Sequence, residues 1–404
     1  MEDWKTYTAS DFCIKVTDGT HDSPKPKDSG HYLITSKHLK DNCIDFSSAY
    51  RISEEDYQKI IKRSNVVQHD ILFSMIGTIG NIVRITAPIV DFAVKNMAIF
   101  KMGGNELKSK WLYYWLQSPS AKEYIASRLA GSTQAYLTLD SIRQYPISSP
   151  SEVEMKKIVD ILQSIDDKIE LNKRINHNLE ELAQALYKSW FVDFEPFKGG
   201  KFVDSELGLI PEGWRVAELG TVTRQNSQKV KDRIDVKVLS PVTTGELVLS
   251  EEYFTKQVFS ESISKYIVVK PLHFAYNPAR VNIGSIGMNM FSFDGCVSPV
   301  YVVFECEKGY HHFFDYYRKT ESFKDEVLNR AIGGVRQTLS YKDFALIKLV
   351  YPPYDIVEKF NCIYAELLEN KNSIKREISK MSELRDTLLP KLMSGELKID
   401  DFTC

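Results

Sequence analysis

The chain has 404 residues, 43% hydrophobic and 12% aromatic, with a formal net charge of −2. That length and apolar content allow two or three buried cores and exclude a largely disordered chain, and the near-zero charge excludes a polybasic coat for nucleic acid. The six cysteines (Cys13, Cys43, Cys296, Cys306, Cys362, Cys404) form no CxxC pair, so neither a zinc ribbon nor a dithiol redox site is written here. No apolar run approaches the roughly 20 residues of a membrane helix, and the opening MEDWKTYTAS has no basic-then-apolar leader. A soluble, cytoplasmic protein that does not enter a membrane is expected.

In chain order the sequence reads A–B–A′–B′. Residues 1–150 open around Trp4 and run through a turn-rich stretch at 18–40. Strand-like alternation follows at 70–85 and 93–102, then an aromatic, amphipathic helical segment at 111–130. Residues 151–195 read as one polar helix with an apolar seam, in which Ile158, Ile161, Ile165, Asn172, Ile175, Leu179, Leu182 and Leu186 fall on three- and four-residue steps interrupted by Lys168. Residues 196–353, a linker and a second globular segment, repeat the first. IGTIG at 76–80 returns as IGSIG at 283–287, and GSTQAYLTLDSIRQYPISSP (131–150) faces GGVRQTLSYKDFALIKLVYP (333–352). Leu137 then matches Leu339 and Pro150 matches Pro352, both at an offset of 202. Residues 354–404 hold a second seam, with Phe360, Ile363, Leu367, Asn370, Ile374, Met381, Leu384 and Leu388 interrupted by Glu377.

The predicted fold class is therefore α+β: two similar mixed α/β modules separated by two long helices that form an intramolecular antiparallel coiled coil. Each seam is roughly 45 Å long at 1.5 Å rise per residue, and Asn172 and Asn370 are candidates for fixing register. The charge is uneven between segments: residues 1–150 carry 18 Lys+Arg against 16 Asp+Glu and residues 201–353 carry 19 against 18, whereas residues 151–200 carry 7 against 10. Local patches in the two globular segments are where contact with an anion would arise.

The linker LYKSWFVDFEPFKGGKFVDSELGLIPEGWRVAELG (186–220) and the terminal SELRDTLLPKLMSGELKI (382–399) resemble the signature regions of type I restriction-modification specificity subunits. The repeat covers the chain in that family's order, with residues 1–150 and 196–353 as target recognition domains and 151–195 and 354–404 as spacer helices. The resemblance implies a non-catalytic subunit that binds double-stranded DNA. Each recognition domain would read one half of a bipartite site, and the helices would set the spacing and dock two methylation subunits. It leaves open whether restriction subunits join, and it implies that S-adenosylmethionine and ATP/Mg are used by those partners, with no cofactor bound here.

The rival readings are a self-contained DNA methyltransferase or nuclease and a protein-only coiled-coil scaffold. Against the enzyme, Tyr351-Pro352-Pro353-Tyr354 has tyrosine where an amino-methyltransferase needs an amide or carboxylate, and Asn277-Pro278-Ala279-Arg280 lacks the second proline and the aromatic. There is no GxxxxGK[ST] loop, and the histidines show no metal-ligand spacing. IGTIG and IGSIG fit strand-to-strand turns better than anion loops.

Base edges and phosphates are contacted by Arg, Lys, Asn, Gln and small polar side chains on loops. The candidates are His21, Lys25, Lys27, Lys37 and His38 in the 18–40 stretch, and the repeat corners Thr133-Gln134 and Arg336-Gln337. In the second module they are Lys229, Lys231 and Arg233, with Arg280 and Asn282 beside IGSIG matched by Arg84 near IGTIG. Trp190, Phe191 and Phe194, at the end of the first helix, are expected to anchor it to a domain or to form a partner surface in preference to stacking on bases.

Overall fold

The computed structural model describes residues 4–40, 42–130, 135–254, 256–330 and 338–398. The chain packs as two compact units, Met1–Lys173 with Arg376–Cys404, and Arg174–Lys375. No helix among the described residues is long and apolar enough to cross a membrane.

Both units are mixed α+β and share one topology. In the first, strand Lys5–Thr8 pairs antiparallel with Pro146–Ser149, closing the module's two ends on each other. An antiparallel sheet runs in the order Lys15–Asp18, Met97–Lys101, Ile71–Ser74, Ile82–Arg84. A second sheet contains the parallel pair His31–Ile34 and Phe92–Val94. In the second unit Arg215–Glu218 pairs with Lys348–Tyr351 in the same closing role. Its antiparallel sheet is ordered Thr223–Asn226, Val302–Cys306, Phe274–Tyr276, Ile286–Met288, and its parallel pair is Lys237–Pro241 with Gly295–Val297. The duplication read from the sequence is thus a duplication of strand order. Its cause is visible in the burial: the central strands Ile71–Ser74 and Phe274–Tyr276 are buried at every position, as expected for strands covered on both faces.

IGTIG lies in the turn between two antiparallel neighbours, whereas IGSIG runs from the equivalent turn into the strand, with Ile286 and Gly287 already paired in the sheet. Gly77 and Gly80 at φ +80° and +91°, and Gly284 at φ +92°, take left-handed conformations that side chains resist.

Two helices of 40 residues, Glu152–Phe191 and Tyr354–Met393, each contribute one half to each unit. In both units they run antiparallel. In the first, Arg385 Nη1 donates to Asp166 Oδ1 at 3.2 Å and Lys168 pairs with Glu377 at 3.2 Å. In the second, Lys371 bonds Glu180, and the Phe191 and Phe360 rings meet edge to face at 5.0 Å. Each helical half also packs on the module beside it. Met155, Ile158, Val159 and Leu162 share a core with Trp111, Trp115, Leu389, Leu392 and Met393. Ala183, Tyr187 and Phe191 share one with Trp214, Phe313 and Phe360.

This double packing displaces part of the predicted seam. Ile158, Ile165 and Asn172 are buried as expected, but Leu162, Ile169 and Ala183 face inward where Ile161, Lys168 and Leu182 were expected. Ile175 and Leu182 are exposed. On the second helix Tyr364 is buried in place of the exposed Ile363. Asn370 is exposed and so cannot fix the register by burial; its neighbour Lys371 faces inward against Glu180. A strict two-in-seven stripe describes a helix with one partner, whereas a helix wedged between a partner and a module buries a wider face. Phe191 is likewise no partner surface: it is 6% exposed and meets Phe313 edge to face at 5.0 Å within the aromatic core. Trp190 and Phe194 pack against the same core, with Phe194 edge-on to Trp214 at 5.4 Å.

Two outcomes follow. Phe191→Ala lowers the unfolding free energy of the second unit by about 3–5 kcal/mol in chemical denaturation. Glu180 is partly buried, which pushes its carboxyl up, but Lys319 at 3.0 Å and Lys371 outweigh that and bring it from 4.5 down to about 2. A depressed folded pKa gives stability that is complete above the ordinary carboxylate range and is lost as pH falls through the folded value. Compared with Glu180→Gln, the wild-type chain therefore loses its advantage between pH 4.5 and about 2, as read by denaturation midpoints across that window.

Candidate nucleic-acid interface

In each unit one loop leaves the outer strand of the antiparallel sheet and enters the parallel pair: residues 19–30 in the first and 227–236 in the second. Both loops are pinned at their bases and present lysines outward.

The first loop starts at Gly19, where a Cβ would lie 2.3 Å from the Val94 carbonyl oxygen, so only glycine allows the approach. His21 Nε2 meets Asp18 Oδ2 at 2.8 Å and its Nδ1 meets Asn96 Oδ1 at 2.9 Å. Asp18, buried, also holds Arg63, and Lys95 bonds Ser23. Pro24 and Pro26 stiffen the crest, and the Lys27 amide donates to the Arg51 carbonyl at 2.9 Å. At the far end the His31 ring stacks on Tyr57 at 3.8 Å, with its two nitrogens on Asp91 and Glu54. Burial works against a charge on His31, but the bonds to Glu54 and Asp91 outweigh it and raise its pKa. Between these anchors Lys25 and Lys27 are exposed, with no side-chain partner among the described residues.

The second loop is held by backbone bonds from Val230 N to Tyr266 O and from Lys231 N to Ser264 O, both 2.9 Å. Lys231 sits at φ +55°. The Arg233 guanidinium bridges Asp235 Oδ1 at 2.9 Å and Asp294 Oδ2 at 2.8 Å. Lys229 and Lys231 point outward without a side-chain partner among the described residues.

The remaining sequence candidates divide by burial and bonding. His38 is wholly buried, and its Nδ1 accepts from the Thr35 amide at 2.9 Å. Burial, with Lys37 beside it, pushes its pKa down. It braces the 36–38 turn and cannot reach a base as placed; Lys37 next to it is exposed. Arg233 is likewise occupied by its two carboxylates, so it shapes its loop and is not available to an anion as placed. Arg84 is half-buried on strand Ile82–Arg84, Arg280 is exposed, and Asn282 is half-buried. Thr133, Gln134, Arg336 and Gln337 lie outside the described residues.

Each unit also carries a cleft, and of the sequence candidates Asn282 alone lines one of the two. The first, about 440 Å³, is lined by Lys40, Asn42, Asn81, Gln117 and Lys122. The second, about 1170 Å³, is lined by Thr243, Thr244, Asn282, Arg318, Lys319 and Lys324 among others. The offset of 202 that aligns Leu137 with Leu339 also aligns Lys122 with Lys324, and this was the available signal. Arg318 is not a free cation. It donates to Asp315, to the Ile286 carbonyl at 2.9 Å and to the Gly245 carbonyl at 2.8 Å, tying the cleft walls together.

The two strings weighed as catalytic loops have structural roles. The Pro352 carbonyl accepts from the Tyr310 hydroxyl at 3.0 Å where a strand passes into the second long helix. Asn277 Oδ1 accepts from the Ala279 amide at 3.0 Å within a turn. His311 and His312 begin a helix, and burial pushes His312 down to about 4.

Residues 1–181 match the family model described as the type I restriction modification DNA specificity domain. The chain is 28% identical over 304 residues to the type I restriction enzyme MjaIX specificity subunit of Methanocaldococcus jannaschii, covering 72% of this chain and 70% of that one. It is 24% identical over 471 aligned positions to the type I restriction enzyme HindI specificity subunit of Haemophilus influenzae, covering 98% and 100%. Among solved structures, the S subunit of a type I restriction-modification system from M. genitalium matches with a TM-score of 0.56 over 96% of each chain, at 16% identity, a likeness of fold. With its duplicated modules and paired long helices, the chain is similar over nearly its whole length to type I restriction-modification specificity subunits.

Proposed function

We propose that this chain is the sequence-reading, non-catalytic subunit of a type I restriction-modification complex in a prokaryotic cytoplasm. Each module reads one half of a bipartite site in double-stranded DNA. The observation that carries this reading is the recurrence, in two modules of unlike sequence, of a pinned loop with two unpaired lysines in the same topological place. A loop fixed before binding loses little conformational entropy on contact. Its lysines supply the phosphate contacts that set orientation, and the neighbouring polar side chains then meet base edges. Two modules with one fold and different loop residues suit a site whose halves differ.

The long helices set the distance between the halves and dock two methylation subunits, which hold S-adenosylmethionine and the methyl-transfer chemistry; ATP and Mg belong to a restriction subunit where one joins. Since Phe191 is buried and Trp190 and Phe194 pack on the core, the partner surface is assigned elsewhere on the helices. Ile175 and Leu182, exposed one turn-pair apart on the first helix, are apolar and outside the seam.

Gel-shift titration with the methylation subunits present, on DNA carrying the chain's own methylation site, tests the reading directly. Alanine at both Lys229 and Lys231 weakens binding alike across sequences and reduces the slope of log affinity against log salt by about 2, at roughly 0.9 per phosphate contact. An unchanged slope removes these lysines from the interface. Deleting one turn from each long helix changes the preferred spacer and leaves both half-sequences intact, as read by single-molecule mapping of methylated positions. An unaltered spacer refutes the ruler.

A further inference from the structure

Ile234 is 98% exposed, more than any other large hydrophobic residue described. It sits in the pinned loop of the second module, directly after Arg233. A single exposed aliphatic side chain on a surface is unremarkable by itself, but this one is held. The Arg233 guanidinium, bridged to Asp235 and Asp294, fixes the backbone on both sides of it. The turn before it is set by the left-handed Lys231 and by the backbone bonds of Val230 and Lys231 to Tyr266 and Ser264, in the turn that leads into strand Ile267–Val269. Lys229 and Lys231, five and three residues before it, are exposed and unpaired among the described residues. An apolar group is thus presented rigidly on the loop whose Lys229 and Lys231 are unpaired among the described residues, while Arg233 is neutralised by Asp235 and Asp294. On the DNA-reading assignment, the two lysines meet phosphates and the isoleucine meets an apolar feature within reach of them. In double-stranded DNA the apolar feature of the major groove is the C5-methyl of thymine.

We propose that Ile234 is a specificity-determining residue of the second module, contacting a thymine methyl in the half-site that this module reads. The proposal rests on the DNA-reading assignment above. Arg233, which makes no base contact itself, acts as the positioning residue that holds Ile234 in place. Burying one methyl against the isoleucine is worth about fourfold in affinity.

The test uses the full chain with its methylation subunits and duplexes carrying its mapped site, with deoxyuridine replacing each thymidine of the second half-site in turn. Uracil keeps the pairing and removes only the methyl. One replacement should weaken wild-type binding about fourfold, and Ile234→Ala should bind both duplexes equally, at the weakened level. Far-ultraviolet dichroism and unchanged sensitivity to replacements in the other half-site establish that the variant is folded. Tight wild-type binding that is indifferent to every replacement overturns the role of Ile234 and leaves the DNA reading standing. A uracil effect that persists in Ile234→Ala assigns the contact to another residue and overturns the proposal. A second half-site without an A·T pair does the same, and loss of site-dependent binding altogether removes the DNA reading and the proposal together.

Discussion

Each module's core is completed by a helix end from elsewhere in the chain. Leu389, Leu392 and Met393 close on Trp111 and Trp115, and Tyr187 and Phe191 close on Phe313 and Phe360. Burying a side chain the size of Leu or Phe is worth about 1.5–3 kcal/mol, a large share of the few kcal/mol by which a domain of this size is stable. The antiparallel helices are therefore part of both cores. Changing their length or register strains packing as well as spacing, which is why a spacer variant must keep the buried face in phase.

The polar contacts divide the labour in the same way. Asp166 takes the Tyr114 hydroxyl at 2.9 Å and Arg385 at 3.2 Å, joining the first module's helix to both long helices through one carboxylate. In the second unit Glu180 gathers Lys319 and Lys371, while rings of Tyr187, Tyr316, Phe360 and Tyr364 fill the space beside it. The two copies of one fold are thus fastened to the same helices by different chemistry. Duplication retained the strand order and let side chains diverge, in the joints as in the loops.

Much of this was legible in the sequence. Repeated glycine-containing strings and constant offsets reveal duplication because backbone turns tolerate few residue types, so the fold leaves matching marks in both copies. The helices were legible from their apolar periodicity. What the pattern does not carry is orientation: Lys168 reads as a break in the seam although Ile169 is the buried neighbour, and the seam spacing falls on Leu182 although Ala183 is the buried residue. Whether a histidine such as His38 is a surface ligand or a buried brace is decided by contacts from Thr35 and from the surrounding core, which no local pattern encodes. For the same reason Arg233 looked like one more cation in a basic stretch. Its partner Asp294 lies 61 residues away, and the pair turns a charge into a scaffold. The recurrence of Lys122 at Lys324 was readable, but its significance required seeing that both line clefts.

The split of each long helix between the two units bears on synthesis as well as on architecture. The first unit draws on Arg376–Cys404, whereas the second is built from Arg174–Lys375. On a ribosome, domains fold as their residues emerge, and here the order of emergence is reversed for the finished cores. The second unit has all its residues outside the tunnel before the first does. The amino-terminal module, made first, waits as an incomplete core with Trp111 and Trp115 lacking their final cover until Leu389, Leu392 and Met393 emerge. Emergence of Leu389, Leu392 and Met393 is thus the event that seals the module made first.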